Sequence, residues 1–178
     1  MGYVAVSAVG VDRPGIVAGV TGALVGVGAN LEDTAMTVLR GRFVMVLVVA
    51  VPDEVGVGGV ERALAGPAAE LGLVVHVDAL ADAADGVVSG EELSVTVYGA
   101  DRPGIVHRVA AALAHRGANI VEVSTRVLGT GGEPVYAMLL DVRLPEGVGV
   151  DAVDADLAAL SAELGVTCHA RLVDADVL

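Results

Sequence analysis

The residues best suited to binding chemistry lie in a short turn that occurs twice in the sequence. The turn reads Asp-Arg-Pro-Gly-Ile, first at 12–16 and again at 101–105. If a helix starts here, its free backbone N–H groups and partial positive charge suit a carboxylate or a phosphate. Gly15 and Gly104 would also let a ligand approach the backbone closely. Because Asp, Pro and Gly are ordinary turn residues, the motif is equally compatible with a purely structural turn and helix start.

Two asparagines, the only ones in the chain, add a second chemical group at matched positions. Asn30 and Asn119 each follow a Gly-Ala pair, where a first helix would lead into a second strand. A side-chain amide offers two donors and an acceptor, so it can meet both ends of a zwitterion such as an amino acid. The alternative is structural, because Asn tolerates the left-handed conformation at a helix end.

Metal binding and catalysis have weaker support. Cys168 and His169 are neighbours on a predicted strand, so their side chains point to opposite faces and cannot readily share a metal. His76 is the counterpart of His169, and a structural histidine is the simpler interpretation of both. No Ser-His-Asp order or Cys-His pair stands out. We therefore expect no catalytic residues, no metal site and no cofactor.

The turn and the asparagine belong to an internal duplication that covers nearly the whole chain. Residues 12–31 and 101–120 are identical at twelve of twenty positions, at an offset of 89. The offset becomes 93 after four extra residues around 129–132, where a loose Gly-rich turn is expected. This arrangement predicts a first domain at 1–81, an acidic linker at 82–91 and a second domain at 92–178.

Each copy predicts the same order of elements. An apolar stretch with alternating pattern comes first, and Pro14 then suits the first turn of a helix. In the first copy, strands at 30–39 and 43–51, a helix at 57–71 and a strand at 73–80 are expected to follow. Pro67 predicts a kink or restart in the second helix. The order is βαββαβ, the ferredoxin-like unit, which gives an α+β fold with antiparallel sheets and helices on one face.

Charge and hydropathy limit the partners. The formal net charge of −13 makes direct binding to nucleic acid or to an anionic membrane surface improbable. The mean hydropathy of +0.72 and the uncharged run at 14–31, 18 residues long, approach the roughly 20 residues that cross a bilayer. The second copy, however, places two histidines and two arginines in the equivalent segment, so this run is predicted to form an amphipathic helix.

The sequence also predicts a cytoplasmic protein that forms homo-oligomers. A single cysteine, Cys168, cannot form an intramolecular disulfide, and Met1–Val11 lacks the basic leader of a signal peptide. Residues 43–51 are all apolar, although a strand with one wet face should alternate. We therefore expect the sheet face away from the helices to be covered by the other copy or by a second subunit. Glycines at 15, 19, 22 and 26 fall along one side of the first helix. They either allow another backbone to pack closely on this side, or they reflect only the Gly-rich composition of the chain.

Both copies resemble ACT domains, small βαββαβ modules that sense amino acids beside metabolic enzymes and regulators. The resemblance rests on the Asp-Arg-Pro-Gly-Ile turn paired with the downstream Gly-Ala-Asn-Leu/Ile, and it spans both halves. An arrangement of two such domains in tandem, with no other domain attached, is similar to the glycine cleavage system transcriptional repressor family. That family is implied to act by protein contact on a DNA-binding activator.

The resemblance implies a non-catalytic regulator that senses a small amino acid, with glycine as one candidate, and acts through a partner regulatory protein. Ligands in the family sit at the interface between ACT domains, on the turn after the first strand and at the start of the second strand. Carried over, these positions are Asp12, Gly15, Ile16, Asn30 and Leu31, and Asp101, Gly104, Ile105, Asn119 and Ile120. The backbone N–H groups of the turn would take the ligand carboxylate, the asparagine would fix the amino group or side chain, and the aspartate would hold the turn. The alternative is a ligand-free ACT-type scaffold for oligomerisation or interaction.

Overall fold

The computed structural model describes residues 1–80, 90–128 and 135–173 of the chain. It divides into two compact units, Met1–Asp85 and Gly86–Leu178. Most of the predicted linker and all of the Gly-rich turn at 129–132 lie outside the described residues, so these two features and the proposed boundaries remain predictions.

The first domain has the predicted βαββαβ order. Its elements are β1 (Gly2–Val11), α1 (Ile16–Gly26), β2 (Asn30–Leu39), β3 (Arg42–Val51), α2 (Gly56–Leu71) and β4 (Leu73–Leu80). The four strands form one antiparallel sheet in the order β2-β3-β1-β4.

The second domain repeats this arrangement. Its elements are β5 (Glu92–Ala100), α3 (Ile105–His115), β6 (Asn119–Leu128), β7 (Val135–Arg143), α4 (Val150–Leu164) and β8 (Val166–Leu172). The antiparallel sheet order is β6-β7-β5-β8. Two sheets of this kind, each with its two helices, confirm the predicted α+β fold class.

Each core lies between the helices and one face of the sheet. In the first domain, alternate β3 residues such as Phe43 and Leu47 are buried with Val20 and Leu24 of α1. The other face of β3 is less covered, since Val46 is 45% exposed and Val44 is half-buried. The prediction that another domain or subunit covers that face therefore remains a prediction.

Local differences from the expected elements have simple causes. Helix α1 begins at Ile16 rather than at Pro14, because Gly15 adopts a left-handed conformation with φ of 94°. Helix α2 continues through Pro67 without a restart. The uncharged run at 14–31 folds into the turn, α1 and the first residues of β2. In the part of the chain that the structure describes, none of the helices has both the length and the apolarity needed to cross a bilayer.

Both edge strands contain a bulge at the same place. The register between β2 and β3 shifts between Leu31 and Asp33, and the register between β6 and β7 shifts between Ile120 and Glu122. The extra residue is Glu32 in the first domain and its counterpart Val121 in the second. Because bulges re-aim neighbouring side chains, their position next to both asparagines bears on the candidate site.

The helix layers of the two domains are packed differently. In the second domain Arg116 donates two hydrogen bonds to Asp156, at 2.6 and 2.9 Å, and Arg108 pairs with Glu163, so α3 and α4 are joined by charge. In the first domain the position equivalent to Arg108 is Gly19. A Cβ at Gly19 would lie 2.9 Å from a methyl carbon of Leu71 on α2. The close contact with Leu71 therefore accounts for this glycine without a contact to another domain or subunit.

Candidate functional site

The two Asp-Arg-Pro-Gly turns have the same backbone geometry. Gly15 and Gly104 precede α1 and α3 with φ of 94° and 93°, a region that side chains rarely adopt. The carbonyl of Gly15 accepts the N–H of Gly19 at 2.8 Å, and the carbonyl of Gly104 accepts the N–H of Arg108 at 3.0 Å. The backbone N–H groups of the residues between Gly15 and Gly19, and between Gly104 and Arg108, have no acceptor within the helix.

Both helix starts are exposed. Among the described residues, no side chain caps α1 or α3 by a hydrogen bond, and neither helix has an acidic residue in its first turn. A Cβ placed on Gly15 or Gly104 would meet nothing within 4 Å. Ile16 and Ile105 are only 1% and 2% exposed, so these two residues can offer backbone N–H groups but no side chain to a ligand.

The aspartates of the turns are exposed, and their proposed role in holding the turn stays a prediction. The backbone N–H of Asp12 donates to the carbonyl of Gly41 at 2.9 Å. Gly41 is in the β2–β3 hairpin, so the turn is attached to the sheet through main-chain atoms. The side chains of both Asp12 and Asp101 lie on exposed residues next to the turns.

The asparagines open the second strand of each domain. Asn30 is exposed, and its side-chain Nδ2 donates to the Glu32 carboxylate on the bulge at 2.8 Å. Asn119 is also exposed, but the bulge residue beside it is Val121, which is 57% exposed. The following residues, Leu31 and Ile120, are half-buried and pack against the two cores.

A single domain does not bring the turn and the asparagine together. Asn30 pairs with Ala50, whereas Gly10, at the start of the turn, pairs with Phe43. Ala50 and Phe43 are seven residues apart on one strand, which at about 3.4 Å per residue is roughly 24 Å. The same separation holds in the second domain between the partners of Asn119 and Gly99, Arg143 and Tyr136. The two groups lie at opposite ends of each sheet.

The two turns also differ in how their arginines are used. The Arg102 guanidinium donates to the carbonyl of Leu164 at the end of α4, at 3.2 Å, and it lies against Gly165. Arg13, its counterpart, is exposed and makes no such hydrogen bond within the described part of the first domain. The Arg102 contact has no signal in the sequence, since the tetrapeptide is identical in both copies.

The second domain contains a polar group that the sequence interpretation missed. Tyr136 is 8% exposed, and its hydroxyl donates to the sulfur of Met138 at 3.7 Å, a weak acceptor. Burial raises the pKa of this phenol, the Asp101 carboxylate raises it further, and a hydrogen bond with Thr125 acts in the opposite direction. Phe43 and Met36 stand at the equivalent positions in the first domain. A position-by-position comparison of the two copies would have revealed this exchange.

The histidines and the cysteine are placed as the strand alternation predicts. Cys168 is buried in the second core, whereas His169 is exposed on the other side of β8. His76 lies 3.0 Å from Asp78 on the exposed part of β4. Across residues 1–80, 90–128 and 135–173, no three His, Cys, Asp or Glu side chains gather in a way that could hold a metal ion.

Comparisons with known proteins agree with the fold of the two domains. The family profile described as the ACT domain matches residues 2–78 and 91–171. A UPF0237 protein from Methanopyrus kandleri is 44% identical over 73 residues, which are 40% of this chain and 81% of that protein.

Two solved structures match along almost the full length. An unknown protein from Galdieria sulphuraria has a TM-score of 0.84 at 30% identity, covering 97% of this chain and 98% of that one. A protein described as a candidate glycine cleavage system transcriptional repressor has a TM-score of 0.72 at 18% identity, covering 97% of both chains. At that identity the second likeness concerns the fold.

Proposed function

The chain belongs to the ACT domain family, and from this premise we propose that it is a non-catalytic regulator that binds a small amino acid. The observation that carries the proposal is the repeated turn. Both copies keep a glycine in a left-handed conformation, open space above it and an uncapped helix start. Such a turn suits a carboxylate, because free N–H groups and the positive end of the helix face it.

The second half of the proposed site is the asparagine. An amide at Asn30 or Asn119 can accept a hydrogen bond from the ligand ammonium group while it donates to another oxygen. Because the turn and the asparagine are roughly 24 Å apart along one sheet, a small ligand that contacts both must take the two groups from two different ACT domains. The proposal therefore includes an assembly of ACT domains around the ligand, and a homo-oligomer is one way to form it.

The output is proposed to be a protein contact in the cytoplasm. A net charge of −13 disfavours direct contact with DNA, so a regulator of transcription with this surface would act on another protein. The name of the repressor-like structure makes glycine the first ligand to test. Binding can change the output only if the ligand prefers one conformation or assembly over another.

A thermal-shift screen of the twenty amino acids tests the proposal. A ligand present at about one hundred times its Kd stabilises the folded state by about 2.7 kcal/mol, which raises the Tm of a small domain by roughly 10–20 °C. The double variant Asn30→Ala, Asn119→Ala should abolish the shift and leave the Tm without ligand nearly unchanged, because both side chains are exposed.

A matched control keeps this result specific. Thr37→Ala and Arg126→Ala remove exposed polar side chains from the same two strands, away from the asparagines. These variants should respond to ligand like the wild type. If no amino acid at millimolar concentration moves the melting curve, the ligand-binding proposal fails, and the ligand-free scaffold becomes the better account.

The partly exposed apolar face of the first sheet favours that second candidate function. On this face Tyr3 and Val46 are 41% and 45% exposed, and Leu39 at the end of β2 is 63% exposed. Apolar side chains grouped on one surface are typical of protein-contact sites. Val46→Asp should then change the oligomeric mass in sizing measurements, whether or not an amino acid binds.

A further inference from the structure

At two matched positions the second domain has a polar residue where the first domain has an apolar one, and this difference bears on which ligand each domain accepts. Tyr136 and Thr125 of the second domain stand where the first domain has Phe43 and Met36. Both exchanged positions lie on the helix-facing side of the sheet, near the turn that the proposed function assigns to the ligand. Resting on that proposed function, we infer that Tyr136 and Thr125 make the second domain select an amino acid with a hydrogen-bonding side chain, while the first domain accepts an apolar one.

The position of Tyr136 supports a role at the turn. Tyr136 pairs with Gly99 on β5, two residues before Asp101, which opens the turn. Thr125 pairs with Met138, the neighbour of Tyr136 on the same face of β7. The phenol, the threonine hydroxyl and the aspartate carboxylate thus belong to one end of the second domain.

The chemistry of Tyr136 supports binding rather than packing alone. Tyr136 is 8% exposed, and its hydroxyl contacts both the thioether sulfur of Met138, at 3.7 Å, and the Thr125 hydroxyl. A thioether is a weak acceptor, and Thr125 is exposed on the edge strand, so a ligand hydroxyl can join this pair of hydroxyl groups. Since burial and Asp101 keep the pKa of the phenol above its ordinary value, the hydroxyl stays protonated and able to donate at neutral pH.

The first domain provides the contrast within the same molecule. Phe43 is 2% exposed and Met36 is 48% exposed, and neither offers a hydrogen-bond donor. The next helix-facing residue of each edge strand is a valine in both domains, Val38 and Val127. At these three matched positions, the two domains thus differ only by the paired exchange of Phe43 and Met36 for Tyr136 and Thr125.

Threonine and valine are suitable probes because they have nearly the same shape and differ by a hydroxyl. With glycine residues labelled with nitrogen-15, the amide signals of Gly15 and Gly104 report the two turns separately in one sample. At Gly104, threonine should bind about fivefold to tenfold more tightly than valine, the effect expected from one neutral hydrogen bond. At Gly15, valine should bind at least as tightly as threonine.

Tyr136→Phe removes one hydroxyl and installs the residue that the first domain already has, so it should fold. It should abolish the preference for threonine at Gly104 and leave valine binding unchanged. Tyr98→Phe is the matched control, because Tyr98 is 48% exposed on the opposite face of the same sheet, and it should keep the preference. Thr125→Val should weaken the preference in the same direction as Tyr136→Phe.

The outcomes separate this inference from the proposed function. If both amino acids bind at Gly104 with equal affinity, or if Tyr136→Phe keeps the preference, the inference is wrong while amino-acid binding stands. If no amino acid moves either glycine signal, the proposed function fails as well. A role of Tyr136 in packing alone would change the Tm of Tyr136→Phe without changing the ratio of the two affinities.

Discussion

Gly15→Ala should destabilise the first domain, and Gly22→Ala should stabilise it, although both add the same methyl group. An added Cβ meets nothing within 4 Å at either position, so the difference depends on the backbone alone. Gly15 has φ of 94°, where an L-residue costs about 1–2 kcal/mol. The loss of chain freedom in the unfolded state offsets about 0.4–1 kcal/mol of that cost. The net effect expected is roughly 1 kcal/mol of destabilisation.

Gly22 lies inside α1 and is exposed, with an ordinary helical backbone. Alanine is favoured over glycine there by about 1 kcal/mol. The free energies of unfolding of the two variants should therefore differ by about 2 kcal/mol, or roughly 10 °C in Tm.

Urea unfolding followed by circular dichroism measures both values, with the wild-type chain as the reference. If Gly15→Ala stabilised the domain as Gly22→Ala does, the left-handed turn would not be the conformation in solution. The binding site proposed at the turn would then lose its geometric basis. Gly15→Ala should also weaken ligand binding, because relaxation of the turn moves the N–H groups.

Two further predictions concern the second domain. The pKa of Asp156 is lowered chiefly by its hydrogen bond from Arg116. The pair therefore stabilises the folded state at pH values above the ordinary carboxylate pKa of about 3.9. This stabilisation is lost as the pH falls through the lowered pKa. Unfolding measured from pH 7 to 2 should show the gap between wild type and Arg116→Gln closing in acid, and a constant gap would contradict the pairing. Gly99→Ala would place a Cβ 3.0 Å from the Cα of Val166, and this overpacking should lower the free energy of unfolding by about 1–3 kcal/mol. An unchanged Tm would show that β8 shifts without cost.

The fold was predictable from the sequence because two copies constrain one another. The bounds of β2 and β4 agree with the predicted strands at 30–39 and 73–80, since apolar patterning and turn residues coincide there. The sequence placed Pro14 in the first turn of a helix, whereas α1 starts at Ile16. Glycine adopts positive and negative φ about equally readily, so the presence of Gly15 did not by itself show that the helix starts after it.

The composition of the candidate site was easier to predict than its arrangement. Gly15 and Asn30 are close in sequence, yet α1 carries the chain back along the sheet and leaves them at opposite ends. This separation follows from strand direction, not from spacing along the chain. The contact of Arg102 with the end of α4 depends on tertiary packing, so an identical motif in the first copy gives no warning of it.

The bulges at Glu32 and Val121 also affect how these chains meet one another in a concentrated solution. Strands β2 and β6 are ten residues long and lie at the edges of their sheets, and within the described parts of the chain each pairs with a strand on one side only. A long flat edge with exposed N–H and C=O groups is a template for pairing with a strand of another molecule. A bulge increases the local twist and interrupts the regular ladder. The same extra residue that re-aims the asparagine region thus helps to keep a chain rich in Val, Ala and Leu from aggregating through its edges.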